Sequence, residues 1–253
     1  MRIYHNNKIS DAELIASDSI INQNVEVIKQ PQLSSTFKFG VNNANLIIAF
    51  SEITEIKSFI VNISNLTGNG TYVLEGNDTN VWTSPSYSEI LNITKTMLYL
   101  NLNRSFKFFR LKIIETVNIE LGYVVIGDSY MQMPGINTKV ALKYNTTDKS
   151  SFALSGQIYG DEGYNYLETS FNFPQIAEES GLGIKGQIVA GRREMLEMWE
   201  DISRINPVWV MLWEKNLDEY APLFCVLNQK NMAFTKLEYG KYYSTKINLK
   251  EVH

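Results

Sequence analysis

Apolar residues recur at every second position in run after run of this chain, and each run is short. In Lys57–Ile63, Phe59, Val61 and Ile63 share one side. In Phe106–Ile114, Phe109, Leu111 and Ile113 share one side while Arg110 and Lys112 take the other. A period of two is that of a strand with one face in a core, and a helix has no use for it. Turn-forming clusters separate the runs: Thr67-Gly-Asn-Gly, Glu75-Gly-Asn-Asp and Trp82-Thr-Ser-Pro. Short alternating strands punctuated this way predict a β-sandwich.

Pro134-Gly135 interrupts the pattern, and strands resume beyond it at Lys139–Asn145, Ser151–Tyr159, Leu167–Phe173 and Gly183–Ala190. A chain of 253 residues is long enough for two domains. The expected division is 1–131 and 132–253. Within the second part, Met195, Trp199, Ile202 and Ile205 recur at helical spacing and predict one helix over 192–205, stopped by Asn206-Pro207. Val208–Trp213, apolar on both faces, reads as a central strand. Ala221–Leu227, Met232–Glu238 and Tyr242–Lys250 complete a second β-sandwich or barrel, with Tyr243, Thr245, Ile247 and Leu249 sharing a face of the last strand. The expected class is mainly β, with one packed helix.

The chemistry is sparse. Histidine occurs only as His5 and His253, so a Ser-His-Asp or Cys-His arrangement would need a chain end to reach a pocket. No Cys/His spacing suits zinc, and no P-loop or dinucleotide-binding glycine motif is present. Gly181-Leu-Gly-Ile-Lys-Gly lacks the following Lys-Ser/Thr and leads into a strand, so it reads as a turn. The acid pairs Asp161-Glu162 and Glu178-Glu179 sit in turns, not poised across a sugar as a glycosidase dyad; a calcium contact at Asp161 and Glu162 is the lesser reading beside simple solvation. No catalytic residue, cofactor or metal is expected, and the chain reads as a non-enzyme.

A net charge of −4 without a basic stripe argues against nucleic acid. No apolar run approaches the roughly 20 residues of a membrane span, so no membrane insertion is expected. The start, MRIYHNNKIS, does not read as a secretion signal, and synthesis in a cytosol is the expectation. Cys225, the single cysteine, reads as a buried core thiol.

Two groups of residues are candidates for contact with something else. Trp82 sits among the polar loop residues Asn77 and Asp78, where an indole either stacks on a sugar ring or plugs the end of the sandwich. Trp199, Trp209 and Trp213 read instead as core. Arg192 and Arg193 open the predicted helix against its dipole. Either both are solvated, or they face acidic turns such as Asp161-Glu162 or Glu178-Glu179 of a neighbouring subunit.

The first half resembles the discoidin-like, or galactose-binding-like, jelly-roll sandwich. The resemblance rests on the order of Ala16–Ser19, Leu46–Phe50, Val61-Asn-Ile-Ser-Asn-Leu, Tyr72-Val-Leu-Glu-Gly-Asn-Asp, Val81-Trp-Thr, Phe108-Phe-Arg-Leu-Lys-Ile and Gly122-Tyr-Val-Val-Ile-Gly. The whole is similar to tail proteins of tailed bacteriophages, on Gly122–Gly127, Phe171-Asn-Phe, Gly191-Arg-Arg-Glu, Asn206-Pro-Val-Trp-Val and the closing Tyr243–Glu251. That resemblance implies a structural virion protein of the tail or tail tip, assembled in a host cytoplasm beside other tail proteins. It implies a homo-oligomeric ring, six-fold or three-fold, built by residues 132–253 with Tyr242–Lys250 as an edge strand open to pairing. The alternative is a carbohydrate-binding adhesion module that recognises a cell-surface glycan. The loops of this chain are short and lack an aromatic cluster of the kind discoidin lectins carry.

Overall fold

The computed structural model describes residues 2–4, 6–17, 23–32, 35–66, 69–93, 97–127, 130–132, 141–147, 149–152, 158–161, 165–182, 188–202, 208–211, 223–237 and 242–251. Both histidines, Pro134-Gly135, Glu162, Asn206-Pro207 and Trp213 lie outside them. Two compact units emerge, one containing Tyr4–Tyr130 and the other Met131–Val210 and Leu223–His253 together with Met1–Ile3.

The strands in chain order begin with β1 (Arg2–Tyr4), β2 (Glu13–Ala16), β3 (Phe37–Lys38) and β4 (Asn43–Ile63). They continue with β5 (Thr71–Asn77), β6 (Tyr87–Ile90), β7 (Asn92–Ile93), β8 (Met97–Ile114) and β9 (Glu120–Gly127). The unit built on Tyr4–Tyr130 is organised by one long antiparallel ladder between β4 and β8. The sequence reads as separate strands at Leu46–Phe50 and Lys57–Ile63, but these are two halves of β4. Between them the register slips: Ala49 faces Phe108, then Thr54 faces Phe106. The extra residues on β4 make an irregular bulge, which bends a strand and strengthens its twist. The outer half of the ladder carries β2, β5 and β6, while the other half carries β3, β7 and β9.

Both halves supply one core. Leu46, Ile48, Phe109, Leu111, Ile113, Tyr72 and Leu74 come from the first, and Phe59, Val61, Ile63, Leu98, Val124 and Ile126 from the second. The predicted face of Phe106–Ile114 is therefore the buried one, whereas Lys57–Ile63 is buried on both faces, with Ser58, Ile60 and Asn62 covered as well as Phe59, Val61 and Ile63. Each apolar side chain among them contributes about 1.5–3 kcal/mol through its removal from water. Edge-on ring contacts between Phe50 and Phe109 (6.2 Å) and between Phe106 and Phe109 (5.8 Å) close one end of that core.

The second unit's strands are β10 (Tyr130–Gln132), β11 (Ala141–Thr146), β12 (Lys149–Phe152), β13 (Ile158–Asp161), β14 (Asn165–Ala177), β15 (Gly181–Leu182) and β16 (Ile188–Val189). After helix α1 (Arg192–Asp201) come β17 (Val208–Met211), β18 (Leu223–Leu227), β19 (Thr235–Lys236) and β20 (Tyr242–Glu251). The main sheet runs β10-β1-β17-β18-β20-β14-β11, with β19 also paired to β20. Val208, Trp209 and Val210 are all buried, as a central strand requires. Leu167, Thr169, Phe171 and Phe173 are buried on one face of β14, and Thr245, Ile247 and Leu249 on one face of β20.

Further expectations need correction. Glu75-Gly-Asn-Asp is not a turn throughout, since Glu75, Gly76 and Asn77 end strand β5. Tyr242–Lys250 is no edge: β20 has β14 along one side and β18 and β19 along the other, so its backbone groups are already engaged. The run Ser151–Tyr159 is divided between the two arms of the β12–β13 pair. Helix α1 ends at Asp201, because the β-branched Ile202 turns extended (ψ 107°) while its N–H still bonds the Met198 carbonyl; residues 203–205 lie outside the description. The buried residues of α1 are Met195 and Met198, followed by Ile202 at its C-cap, with Trp199 only half-buried on the flank. Trp209 does belong to the core, packed on Phe224 at 4.7 Å. Cys225 is buried, as expected, and burial together with the nearby Glu251 pushes its thiol pKa up.

Candidate functional site

The loop of residues 78–86 joins β5 to β6, two neighbouring strands at one side of the N-terminal sheet. Asn77, at the end of β5, ties the loop together. Its Nδ2 donates to the Val81 carbonyl at 2.7 Å, and its Oδ1 accepts from the Ser86 hydroxyl at 2.9 Å and from the Asp78 backbone N–H at 3.1 Å. The amide of Asn77 is thus engaged within the loop, whereas Asp78 is exposed. The Val81 N–H donates to the Thr79 carbonyl at 2.8 Å, tightening the turn further.

Trp82 follows. Its Nε1–H donates to Asn80 Oδ1 at 2.7 Å. The Arg110 guanidinium carbon stands 4.6 Å from its ring centroid, a cation–π stack. Arg110 projects from β8 on the face opposite Phe109 and Leu111, directly across from Glu75 on β5. Its Nε donates to Glu75 Oε2 at 2.5 Å, with NH2 bonded to the same oxygen. Glu75 is 6% exposed and Arg110 intermediate, so the ion pair is a part-buried, mutually neutralising one whose guanidinium lies against the indole. Trp82 is neither swallowed by the core nor loose: it is half-exposed, with one ring face occupied by Arg110. The strict alternation of β8 announces that Arg110 leaves the core, but its meeting with Trp82 joins residues 28 positions apart and has no local signal.

Beside this loop, Tyr87 stacks on Phe106 (6.2 Å, 25° between planes), and Arg104 lies over the Tyr87 ring at 5.1 Å. The Tyr87 hydroxyl donates to Glu89 at 2.6 Å, and burial together with that carboxylate raises the phenol pKa.

Arg192 and Arg193 find their acids within one chain. Arg192 makes a two-pronged contact with Glu178, Nε at 2.8 Å, and its guanidinium lies 5.0 Å from the Tyr243 ring centroid. Arg193 stands 3.6 Å from Glu178 and 3.2 Å from Glu179. The hydrogen bond from Arg192 holds the Glu178 carboxyl down at about 2. Glu194 accepts from the Gly191 and Ser180 N–H groups at 3.0 and 3.2 Å, which caps the helix. Gly191 is required here because any Cβ would fall on the Glu179 backbone. The dipole penalty expected for two arginines is offset by two carboxylates at the same helix end.

Among the described residues, no group of three or more His, Cys, Asp or Glu is placed to hold a metal, and no helix is long and apolar enough to cross a membrane.

The chain matches no protein-family model and none of the curated proteins. It is similar to solved β structures. One is a fucose-binding module of Streptococcus pneumoniae, at 10% identity and a TM-score of 0.43, covering 49% of this chain and 96% of that one. Another is the family 32 carbohydrate-binding module of Clostridium perfringens NanJ in complex with galactose, at 8% identity and 0.40, covering 51% and 99%. A third is the pair of family 32 modules of Clostridium perfringens ZmpB in complex with GalNAc, at 7% identity and 0.40, covering 97% and 87%.

Proposed function

We propose that the unit containing Tyr4–Tyr130 is a carbohydrate-binding module that recognises a cell-surface glycan through the loop of residues 78–86. The observation that carries this reading is Trp82, held half-exposed by hydrogen bond and cation–π stack. Sugar rings present apolar C–H faces that pack on indoles, and a ring already fixed loses little side-chain entropy on binding. Asp78 and the loop backbone supply polar groups at the rim. The discoidin-like resemblance of the first half supports the same function. The reading assigns no reaction to the chain.

A glycan array tests it. The intact chain should bind a subset of glycans, and Trp82→Ala should remove that binding while circular dichroism stays unchanged. An array blank for the wild type, or binding indifferent to Trp82, would sink the proposal. A place in a phage tail rests on the sequence resemblance, since the edge strand invoked for its ring lies inside a sheet. Mass spectrometry of purified particles decides it.

A further inference from the structure

We propose that Arg110 is the positioning residue of the Trp82 site, and that its neutralisation by Glu75 makes the site favour uncharged over acidic sugars. This rests on the glycan reading for its second half alone.

Arg110 does three things at once. It leaves the core face of β8, forms a part-buried pair with the buried Glu75, and lays its guanidinium under Trp82. A guanidinium is planar and stacks on an indole while its edge N–H groups hold a carboxylate, a combination an ammonium does not offer. Glu75, 6% exposed, locks the fork in place. The indole then has a rigid floor on one face and Asn80 on its N–H, so only the opposite face and rim are left for a ligand. Arg110 itself does not reach that ligand and acts through the ring.

The same pair sets the charge of the site. A sugar stacked on the far face lies about 4 Å beyond the ring, and the ring is 4.6 Å from the guanidinium carbon. At that range an unpaired guanidinium would attract a carboxylate, but Glu75 cancels it. The neighbouring loop acid, Asp78, is exposed and adds negative charge. Uncharged sugars are therefore accepted and uronates are not drawn in.

The positioning half is tested without any sugar. Fluorotryptophan is incorporated into the whole chain and the Trp82 resonance assigned by Trp82→Phe. Removing Arg110 alone leaves a buried carboxylate, so the double variant Arg110→Met with Glu75→Leu is used, which removes both charges together. The Trp82 line should move toward that of free fluorotryptophan and narrow, the Trp209 line should stay, and Arg110→Lys should give a partial shift. An unmoved Trp82 line in the folded double variant overturns the positioning role.

The selectivity half is read by calorimetry with methyl galactoside and glucuronate. Glu75→Gln, which keeps the shape and frees the charge, should raise the glucuronate-to-galactoside affinity ratio by about fivefold. An unchanged ratio overturns it. A wild-type chain that binds neither sugar overturns the selectivity half together with the glycan reading, and the Trp82 line still decides the role of Arg110.

Discussion

Gly76 of β5 lies directly against the Phe106 ring of β8, with no room for a Cβ between them. Tyr87, opposite Gly76 on β6, stacks on the same Phe106 ring. The end of the sandwich next to the candidate loop is thus closed by a ring seated on bare backbone. Gly76→Ala should cost about 1–3 kcal/mol, as overpacking of a filled core does. Urea denaturation measures it, and a midpoint equal to the wild type would contradict the packing described.

Phe108 and Phe109 are chain neighbours with opposite fates. Phe109 is fully buried and touches Phe50 and Phe106, whereas Phe108 is half-exposed on the outer face. Phe109→Ala should destabilise by about 3–5 kcal/mol, and Phe108→Ala by clearly less. Thermal melts of the two variants check the register of β8, and equal losses would mean the strand is shifted by one.

Glu178 gives a pH prediction with a definite sign. Its folded pKa, about 2, lies below the ordinary carboxylate value of 4.5 because Arg192 hydrogen-bonds the ionised form. The stabilisation is fully present above that ordinary value and is lost as pH falls toward about 2. Carbon NMR of the side-chain carboxyl should show the low titration point in the wild type and an upward return in Arg192→Gln. A Glu178 that titrates at its ordinary value in the wild type would refute the contact.

Strand β1 gives a prediction about dissection. Its residues, Arg2–Tyr4, lie in the main sheet between β10 and β17. A fragment of residues 131–253 lacks it and leaves one side of β17 unpaired, so hydrogen exchange at Val208–Val210 should quicken relative to the whole chain. Restoring residues 1–4 as a fused strand should slow it again. Equal protection in the bare fragment would show that β1 adds nothing to that sheet.

What the sequence settled by itself is local and periodic. The alternation in Phe106–Ile114 and Leu167–Phe173 named the buried faces, because a strand's side chains must take opposite sides at every step. The class of fold followed, and so did the burial of Cys225 and Trp209. The tertiary structure decided everything that depends on which strands meet. Nothing in Leu46–Phe50 or Lys57–Ile63 says that they are one bent strand, since the bulge is defined against β8. Tyr242–Glu251 carries the same alternation at an edge or in the middle of a sheet, and only its partners make it interior. Trp82 and Asn77 were legible as a polar loop with an aromatic at its tip. The Arg110–Glu75 floor beneath Trp82 was not, because a cation–π stack and an ion pair across strands are contacts in space, and sequence spacing carries no record of them.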